Sequence, residues 1–535
     1  MNILTLLGII AFGIHFAFRA SALLWLWFMK EYRMDRMRIH LKTRQGRALL
    51  LSRTSVLLFL VLAVYATTPL KAQALVFLSF MFLVLSVRHV RRGFTNWFIP
   101  PRSPKVLALG LAFLGFAGAL FLFGLPTLVT LALVDILLFP VSVGIVFLFG
   151  IPTRLYHALV IRGAVSKLRK TSGLRVVGIT GSFGKTSVKD YLATILSSRY
   201  KTLKTQASKN SAIAIAEIVH DTLTPEHNVF VVEMGAYKKG EIAGMSHMVR
   251  PEIGIVTAIN PQHQDLFGSL ENTMQAKYEL IAGLTGKKIA ILNADDPRVR
   301  AMGEWATKDG CAVWWYTTKD IKISSKSRVF RADNITWDLH GVRFTCKEGS
   351  TSVPVEAKVV GPHQVGNILA AIAGAVACGM DLTRAAQAAA GIVPAKKVLE
   401  IMKGVKGATF IVDTFNNNPD GAKAALDVLS KATGRKVLVF QPMIELGAFA
   451  KESHTNVGAH AARACDVIFL TNNNWYEDFL AGVRAVSPQT KVHIMTPEKS
   501  AAFIQKYVNK GDAVLFKGKD SEHVLRRLQE IAAHS

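Results

Sequence analysis

Residues 176–187 read VVGITGSFGKTS, a β-branched run that enters a glycine-rich turn and leaves through Lys-Thr-Ser. Val188, Tyr191, Leu192, Ile195 and Leu196 then recur at helical spacing. The order is strand, phosphate-binding loop, helix. Gly181 and Gly184 let backbone N–H groups approach a polyphosphate, and the helix N-terminus that follows favours negative charge. Lys185 reaches the β- and γ-phosphates, and the Thr186 hydroxyl holds Mg²⁺. The run departs from G-x-x-x-x-G-K-[ST], with Ile179 where the first glycine would stand and glycines at 178 and 181. A bare strand-to-helix turn is the alternative. The flanking strand and helix favour a nucleoside triphosphate site.

The segment before this loop has a different texture. At 535 residues, 50% hydrophobic and with a mean hydropathy of +0.30, the chain is too apolar for an ordinary soluble protein of its size. Five apolar segments can be drawn, Ile3 to Phe28, Thr54 to Thr67, Ala72 to Val87, Val106 to Leu125 and Thr127 to Phe149. A spanning helix needs about 20 apolar residues, so the second and third are short and are expected to form a helical hairpin through Thr67-Thr68-Pro69. The first 175 residues carry a net charge of +18 and the remaining 360 only +9. That is a membrane-flank distribution rather than a basic nucleic-acid face. Lys and Arg crowd residues 30–53, 88–105 and 154–170, while the opposite side offers only Lys71. The N-terminus is therefore expected outside and everything after about residue 151 in the cytoplasm. Of the two charged groups inside the spans, Arg19 is expected to snorkel and Asp135 to cap or line a helix interface beside Pro140, with mutual pairing as the alternative. The four cysteines are scattered, which disfavours a zinc ribbon or a disulfide framework.

The expected organisation is an α-helical membrane domain of about five spans (1–151), a basic connector (152–175), a phosphate-loop parallel-sheet central domain (176–392) and a smaller Rossmann-like C-terminal domain (393–535). In the central domain, strand-like runs at 175–180, 229–234, 253–259 and 288–293 alternate with helical patterns. The runs AVWWYT, SRVFRA, GVRFTC and PVEAKVV between about 311 and 360 suggest a small antiparallel appendage. A helix follows from His363, and Gly391 to Gly407 reads as a linker. FIVD, KVLVF, DVIFL, KVHIM and AVLF then mark the strands of the last domain.

Over residues 176 to about 530 the chain resembles the Mur ligase family. The motifs that carry the resemblance are TGSFGKTS, EMGA (233–236), GEIA (240–243), HQDLFGS (263–269), AKYE (276–279), NADDP (293–297), GPHQVGN (361–367), DTFNNNPD (413–420), IELG (444–447) and GDAVLFKGK (511–519). Their order matches as well, and Glu-Met-Gly-Ala with Asn-x-Asn-Pro-Asp is most similar to the MurF branch. The resemblance implies ATP-dependent amide formation through an acyl phosphate. It implies that Gly181, Ser182, Phe183, Gly184, Lys185, Thr186 and Ser187 hold the ATP phosphates, that Asn367 contacts adenine and that Asp413 reaches the nucleotide from the last domain. Thr186 and Glu233 would hold one Mg²⁺, and His263 and Lys277 a second. In the family that lysine is carbamylated, which turns an ammonium into the anionic oxygen ligand Mg²⁺ prefers. Lys185, Glu233, His263 and Lys277 are thus the catalytic set.

The chain also departs from the family. Gln364 replaces the asparagine of a His-Asn pair, Gln441-Pro442 replaces Gly-Asp, the linker offers Lys396 and Lys397 where the family has arginine, and Phe415 replaces a tyrosine. The family's UDP-sugar-gripping domain is absent, and the apolar segments stand in its place. The expectation is a multi-pass enzyme of the bacterial cytoplasmic membrane with its catalytic domains in the cytoplasm. It would join an amino acid or dipeptide to a peptidoglycan precursor, lipid-linked by preference, with a soluble UDP-sugar as the rival. Membrane lipids and other cell-wall enzymes are further expected partners, and nucleic acid is not. A Mur-like ligase for another envelope or poly-amino-acid polymer, and a catalytically silent scaffold, are the alternatives.

Overall fold

The computed structural model describes residues 3–30, 32–42, 53–67, 73–74, 76–82, 84, 104–123, 127–206, 209–260, 267, 269–323, 327–394, 396–415, 417–444, 446 and 449–533. The chain divides into two units, Met1–Ala158 and Leu159–Ser535.

In the second unit the apolar runs become strands, and those that are apolar on both faces are covered by helices above and below. The first nine are β1 Arg175–Thr180, β2 Thr202–Lys204, β3 Val229–Glu233, β4 Ile253–Val256, β5 Ile289–Asn293, β6 Ala312–Thr317, β7 Arg328–Trp337, β8 Val342–Glu348 and β9 Thr351–Ala357. They form one sheet in the order β2-β3-β1-β4-β5-β6-β7-β8-β9. Here the structure corrects the sequence reading. AVWWYT pairs parallel with β5, and β7 pairs parallel with β6, so only β7-β8-β9 is antiparallel and the expected appendage is an extension of the main sheet. The runs looked separate because β7 to β9 alternate buried and exposed residues, as strands with one wet face do.

One face of this sheet is covered by the helices Lys185–Ser197 and His363–Ala377. Their close approach needs Gly374, where a Cβ would lie 3.1 Å from both Leu192 and Ile255. The other face packs Ile215, Ile242, Met245, Leu280 and Val299. It also receives Val160, Ile161, Ala164, Val165 and Leu168 from the helix Thr127–Lys170, whose Lys167 donates to the His220 carbonyl at 2.7 Å. The expected basic connector is therefore helical as far as Lys170 and contributes to the core of the second unit. The helix passes through Pro140 and Pro152 without ending.

The last six strands are β10 Glu400–Lys403, β11 Thr409–Asp413, β12 Lys436–Phe440, β13 Val467–Leu470, β14 Lys491–Ile494 and β15 Ala513–Lys517, in the order β10-β11-β15-β12-β13-β14. All five expected strands are present. The expected linker is corrected in part, since β10 falls inside it and pairs antiparallel with β11. Its Glu-Ile-Met-Lys sequence gives an edge strand little apolar signature to read.

The first unit contains the helices Ile3–Met29, Met34–Lys42, Arg53–Thr67 and Pro104–Phe121 and the start of Thr127–Lys170; residues 73–74, 76–82 and 84 are also helical. Two of the described helices, Ile9–Met29 and Thr127–Lys170, are long and apolar enough to cross a membrane, and Val106–Leu120 is apolar but shorter. The Thr67-Thr68-Pro69 turn and the basic stretch 88–103 lie largely or wholly outside the described residues. Asp135 is fully buried and neither caps a helix nor stands alone. Its Oδ2 accepts from Arg19 Nη1 at 2.5 Å, and its Oδ1 lies 3.2 Å from His15 Nε2. Pairing replaces the snorkelling expected of Arg19, because an isolated carboxylate in apolar surroundings is far costlier than a paired one.

Candidate active site

The carboxyl end of β1 turns into the phosphate loop through Gly181 at φ 145° and Gly184 at φ 84°. Both positions require glycine. A Cβ on Gly181 would sit 2.0 Å from Thr257 Oγ1, and one on Gly184 would sit 2.6 Å from Asn367 Oδ1. The loop is pinned by the two residues that follow β4, where Ser182 N–H donates to the Ala258 carbonyl at 2.7 Å and Thr257 Oγ1 donates to the Phe183 carbonyl. Lys185 opens the following helix and folds back, its ammonium donating to the Gly181 carbonyl at 2.6 Å. The lysine thus folds onto the backbone of its own loop.

Thr186 and Ser187 follow on the first turn. Thr186 Oγ1 donates to Glu233 Oε2 at 3.0 Å from the end of the neighbouring strand β3. Glu233 is buried and well supported, its Oε1 accepting from Asn210 Nδ2 at 3.0 Å and its Oε2 lying 3.3 Å from Lys189 Nζ. A hydroxyl and a buried carboxylate side by side are hard oxygen donors of the kind Mg²⁺ takes, so this pair fits the ion. Lys277 lies on the helix Leu270–Ala282, whose Ser269 cap accepts from Asn272 N–H. Only 4% of Lys277 is exposed, and its Nζ lies 5.6 Å from the Phe267 ring centroid. Burial, and then the nearby Lys185 charge, lower its pKa to about 7. His263 lies outside the described residues.

Asn367 rests against Gly184 and donates to Gln364 Oε1 at 2.9 Å, an oxygen that also accepts from Tyr191 Oη at 3.0 Å. Gln364, which departs from the family pattern, therefore holds Asn367 in place. Asp413 ends β11 directly opposite Lys517 on β15, and the two form a buried pair at 2.7 Å. The C-terminal domain also touches the loop. Phe183 faces Gly421, and Asn260 Nδ2 donates to Asp420 Oδ2 at 2.8 Å, while within the central domain the Phe183 and His363 rings are 5.7 Å apart. Burial and the Lys517 charge hold His363 down at about 4, so it is neutral at physiological pH.

The fold therefore brings together all the expected phosphate-loop residues with Glu233 and Asn367. Sequence reasoning missed Lys189, Asn210, Asn260 and Lys517. Lys189 was within reach, since it stands one helical turn after Lys185 in an otherwise apolar face. The other three have no local signature, because their partners are 23 to 160 residues away.

Comparison with known proteins bears on the same region. The model of the Mur ligase middle domain matches residues 179–375, and that of the Mur ligase, glutamate ligase domain matches 399–520. The UDP-N-acetylmuramoyl-tripeptide--D-alanyl-D-alanine ligase of Escherichia coli (strain K12) is 32% identical over 370 residues, covering 68% of this chain and 78% of the relative. A crystal structure of MurF from Acinetobacter baumannii superposes with a TM-score of 0.63 at 26% identity, covering 70% of this chain and 80% of that one. MurF ligase from Thermotoga maritima in complex with ADP shares the fold, with a TM-score of 0.62 at 22% identity over 71% of this chain and 85% of its own.

Proposed function

The chain belongs to the Mur ligase family, whose members are ATP-dependent, ADP-forming acid–amino-acid ligases, and from that premise we propose a membrane-anchored, MurF-like enzyme. It joins an amino acid or dipeptide to a carboxylate of a peptidoglycan precursor. The observation that carries this reading is the convergence of Lys185, Thr186 and buried Glu233 on one glycine cradle.

In the proposed reaction the acceptor carboxylate oxygen bonds to the γ-phosphorus of ATP as the bond to the β-phosphate oxygen breaks, releasing ADP. The amine nitrogen then bonds to the acyl carbon, phosphate leaves with the electron pair of the C–O bond, and the amine loses a proton to solvent. Lys185 moves off the Gly181 carbonyl onto the transferring phosphoryl oxygens, and the loop N–H groups orient them. Thr186 and Glu233 hold Mg²⁺, which when bound neutralises phosphoryl charge. Lys277 is proposed to be carbamylated and, with His263, to hold a second ion. Its low pKa supports this, since a free amine near pH 7 can bond to CO₂ and release a proton, whereas an ammonium cannot.

Membrane anchorage is supported by the two long apolar helices and by an outward apolar surface that includes Leu107, Leu111 and Leu114, each about 60% exposed. We read the first unit as five spans with the catalytic domains cytoplasmic. Tethering confines the active site to the bilayer face, where a lipid-tailed acceptor is concentrated, so the acceptor is a lipid-linked wall intermediate. The test uses the full chain in lipid vesicles with ATP, D-alanyl-D-alanine and the muramoyl tripeptide in UDP-linked or lipid-linked form. Phosphate release dependent on both acceptor and amine, with a product of the summed mass less water, is the expected result. Release dependent on neither would overturn the ligase reading, and ligation confined to the soluble acceptor would overturn the lipid-linked one.

A further inference from the structure

Lys189 is a buried charged group at the site to which the proposed reaction gives no task. It is wholly buried on the helix Lys185–Ser197, and its ammonium lies 3.3 Å from Glu233 Oε2, the same oxygen that accepts from Thr186. Asp190, the other carboxylate within reach at 3.8 Å, already pairs with Lys204 at 2.7 Å. Glu233 is thus the buried carboxylate that Lys189 meets at 3.3 Å. Among the described residues the phosphate site sets two lysines, Lys185 and Lys189, against this buried carboxylate. Such a site carries surplus positive charge and is built for a polyanion. A bare divalent cation would meet like charge, and it would compete with a covalently tethered ammonium for its best ligand oxygen.

We propose that Lys189 is a positioning residue, the resident counter-ion of Glu233, so that a divalent cation joins this carboxylate only together with a polyphosphate. The inference rests on the nucleotide reading of the loop. A polyphosphate supplies the negative charge that lets ammonium and metal share Glu233, and the Lys189 ammonium keeps the carboxylate aimed at the Thr186 hydroxyl in the meantime. Metal binding and nucleotide binding are then obligatorily linked, with the linkage written into one buried side chain.

The test measures Mn²⁺ uptake by electron paramagnetic resonance on the full chain in detergent micelles without nucleotide. Wild type and Lys189→Arg, which keep the charge, should bind Mn²⁺ weakly. Lys189→Met should gain one site per chain, tighter by at least about tenfold, that Glu233→Gln in the same background removes. Should Lys189→Met fail to fold, Lys189→Gln is the neutral variant with the same criterion. The proposal is overturned if neutral variants bind no tighter than wild type. It is equally overturned if wild type alone takes up Mn²⁺ tightly at a site that Glu233→Gln abolishes, a result that needs no Lys189 variant. A fluorescent ATP analogue is titrated in parallel. Failure of every variant and of wild type to bind it would refute the nucleotide reading, whatever the Mn²⁺ arms show.

Discussion

Replacing Lys277 by methionine should make the protein more stable and inactive at once, by an amount that depends on pH in a definite direction. The lysine is almost wholly buried, and its pKa falls from 10.5 to about 7, chiefly through burial. Between those values the unfolded chain keeps a proton that the folded chain has released, so wild-type stability rises with pH across this window. Below pH 7 the full penalty is present, about 5 kcal/mol for a shift of this size at 1.36 kcal/mol per unit. At pH 7 itself about 4 kcal/mol remains. Methionine fills a similar volume without charge and forfeits the contact of the ammonium with the Phe267 ring, worth about 1 kcal/mol. The net gain for Lys277→Met is then about 3 kcal/mol at pH 7, falling by about 1.4 kcal/mol per pH unit as pH rises towards 10. Urea unfolding of the full chain in micelles and CO₂-free buffer measures it, with fluorescence of Trp305, which packs edge-on to Tyr278 on the same helix as Lys277, as the probe. A variant less stable than wild type at pH 6, or a difference that is flat between pH 7 and 10, would refute the reasoning. Ligation should be lost in the variant throughout.

Three further outcomes follow from particular contacts. Lys185→Ala removes charge from a partly exposed loop residue, so ATP-dependent phosphate release should fall by at least about a thousandfold with the melting temperature unchanged, as activity and calorimetric measurements would show. Gly181→Ala forces a Cβ to 2.0 Å from Thr257 Oγ1 at a φ of 145°, which should cost about 1–3 kcal/mol and weaken binding of a fluorescent ATP analogue. Asp413→Asn takes the carboxylate away from buried Lys517 and should destabilise the chain by about 3–5 kcal/mol, with Asp413→Asn/Lys517→Met recovering part of the loss in denaturant titrations.

What the sequence by itself determined is whatever is encoded locally. The glycine-rich turn between a β-branched run and a helical repeat announces a phosphate loop, because backbone approach to phosphate needs those glycines at that spacing. Four of the five strand runs of the last domain, all but KVHIM, are legible for the same kind of reason, since a strand buried on both faces is a short continuous apolar stretch. The apolar N-terminal third and its charge distribution are likewise compositional.

Only the tertiary structure decided the rest. The wet-faced strands β7 to β9 join the main sheet through pairings that no local pattern specifies, and edge strand β10 is too polar to stand out from a linker. The helix beyond Pro152 is part of a core because Ala164 and its neighbours meet residues more than 40 positions away. Asp135 avoids the cost of isolation through Arg19, 116 residues earlier, and through His15. Glu233 can be singled out by its motif, but its environment of Thr186, Lys189 and Asn210 exists only once β1, β3 and the phosphate-loop helix are assembled. Propensity and periodicity act over a few residues, whereas the charge balance of a buried site is set by whichever groups the fold brings within a few ångströms of it.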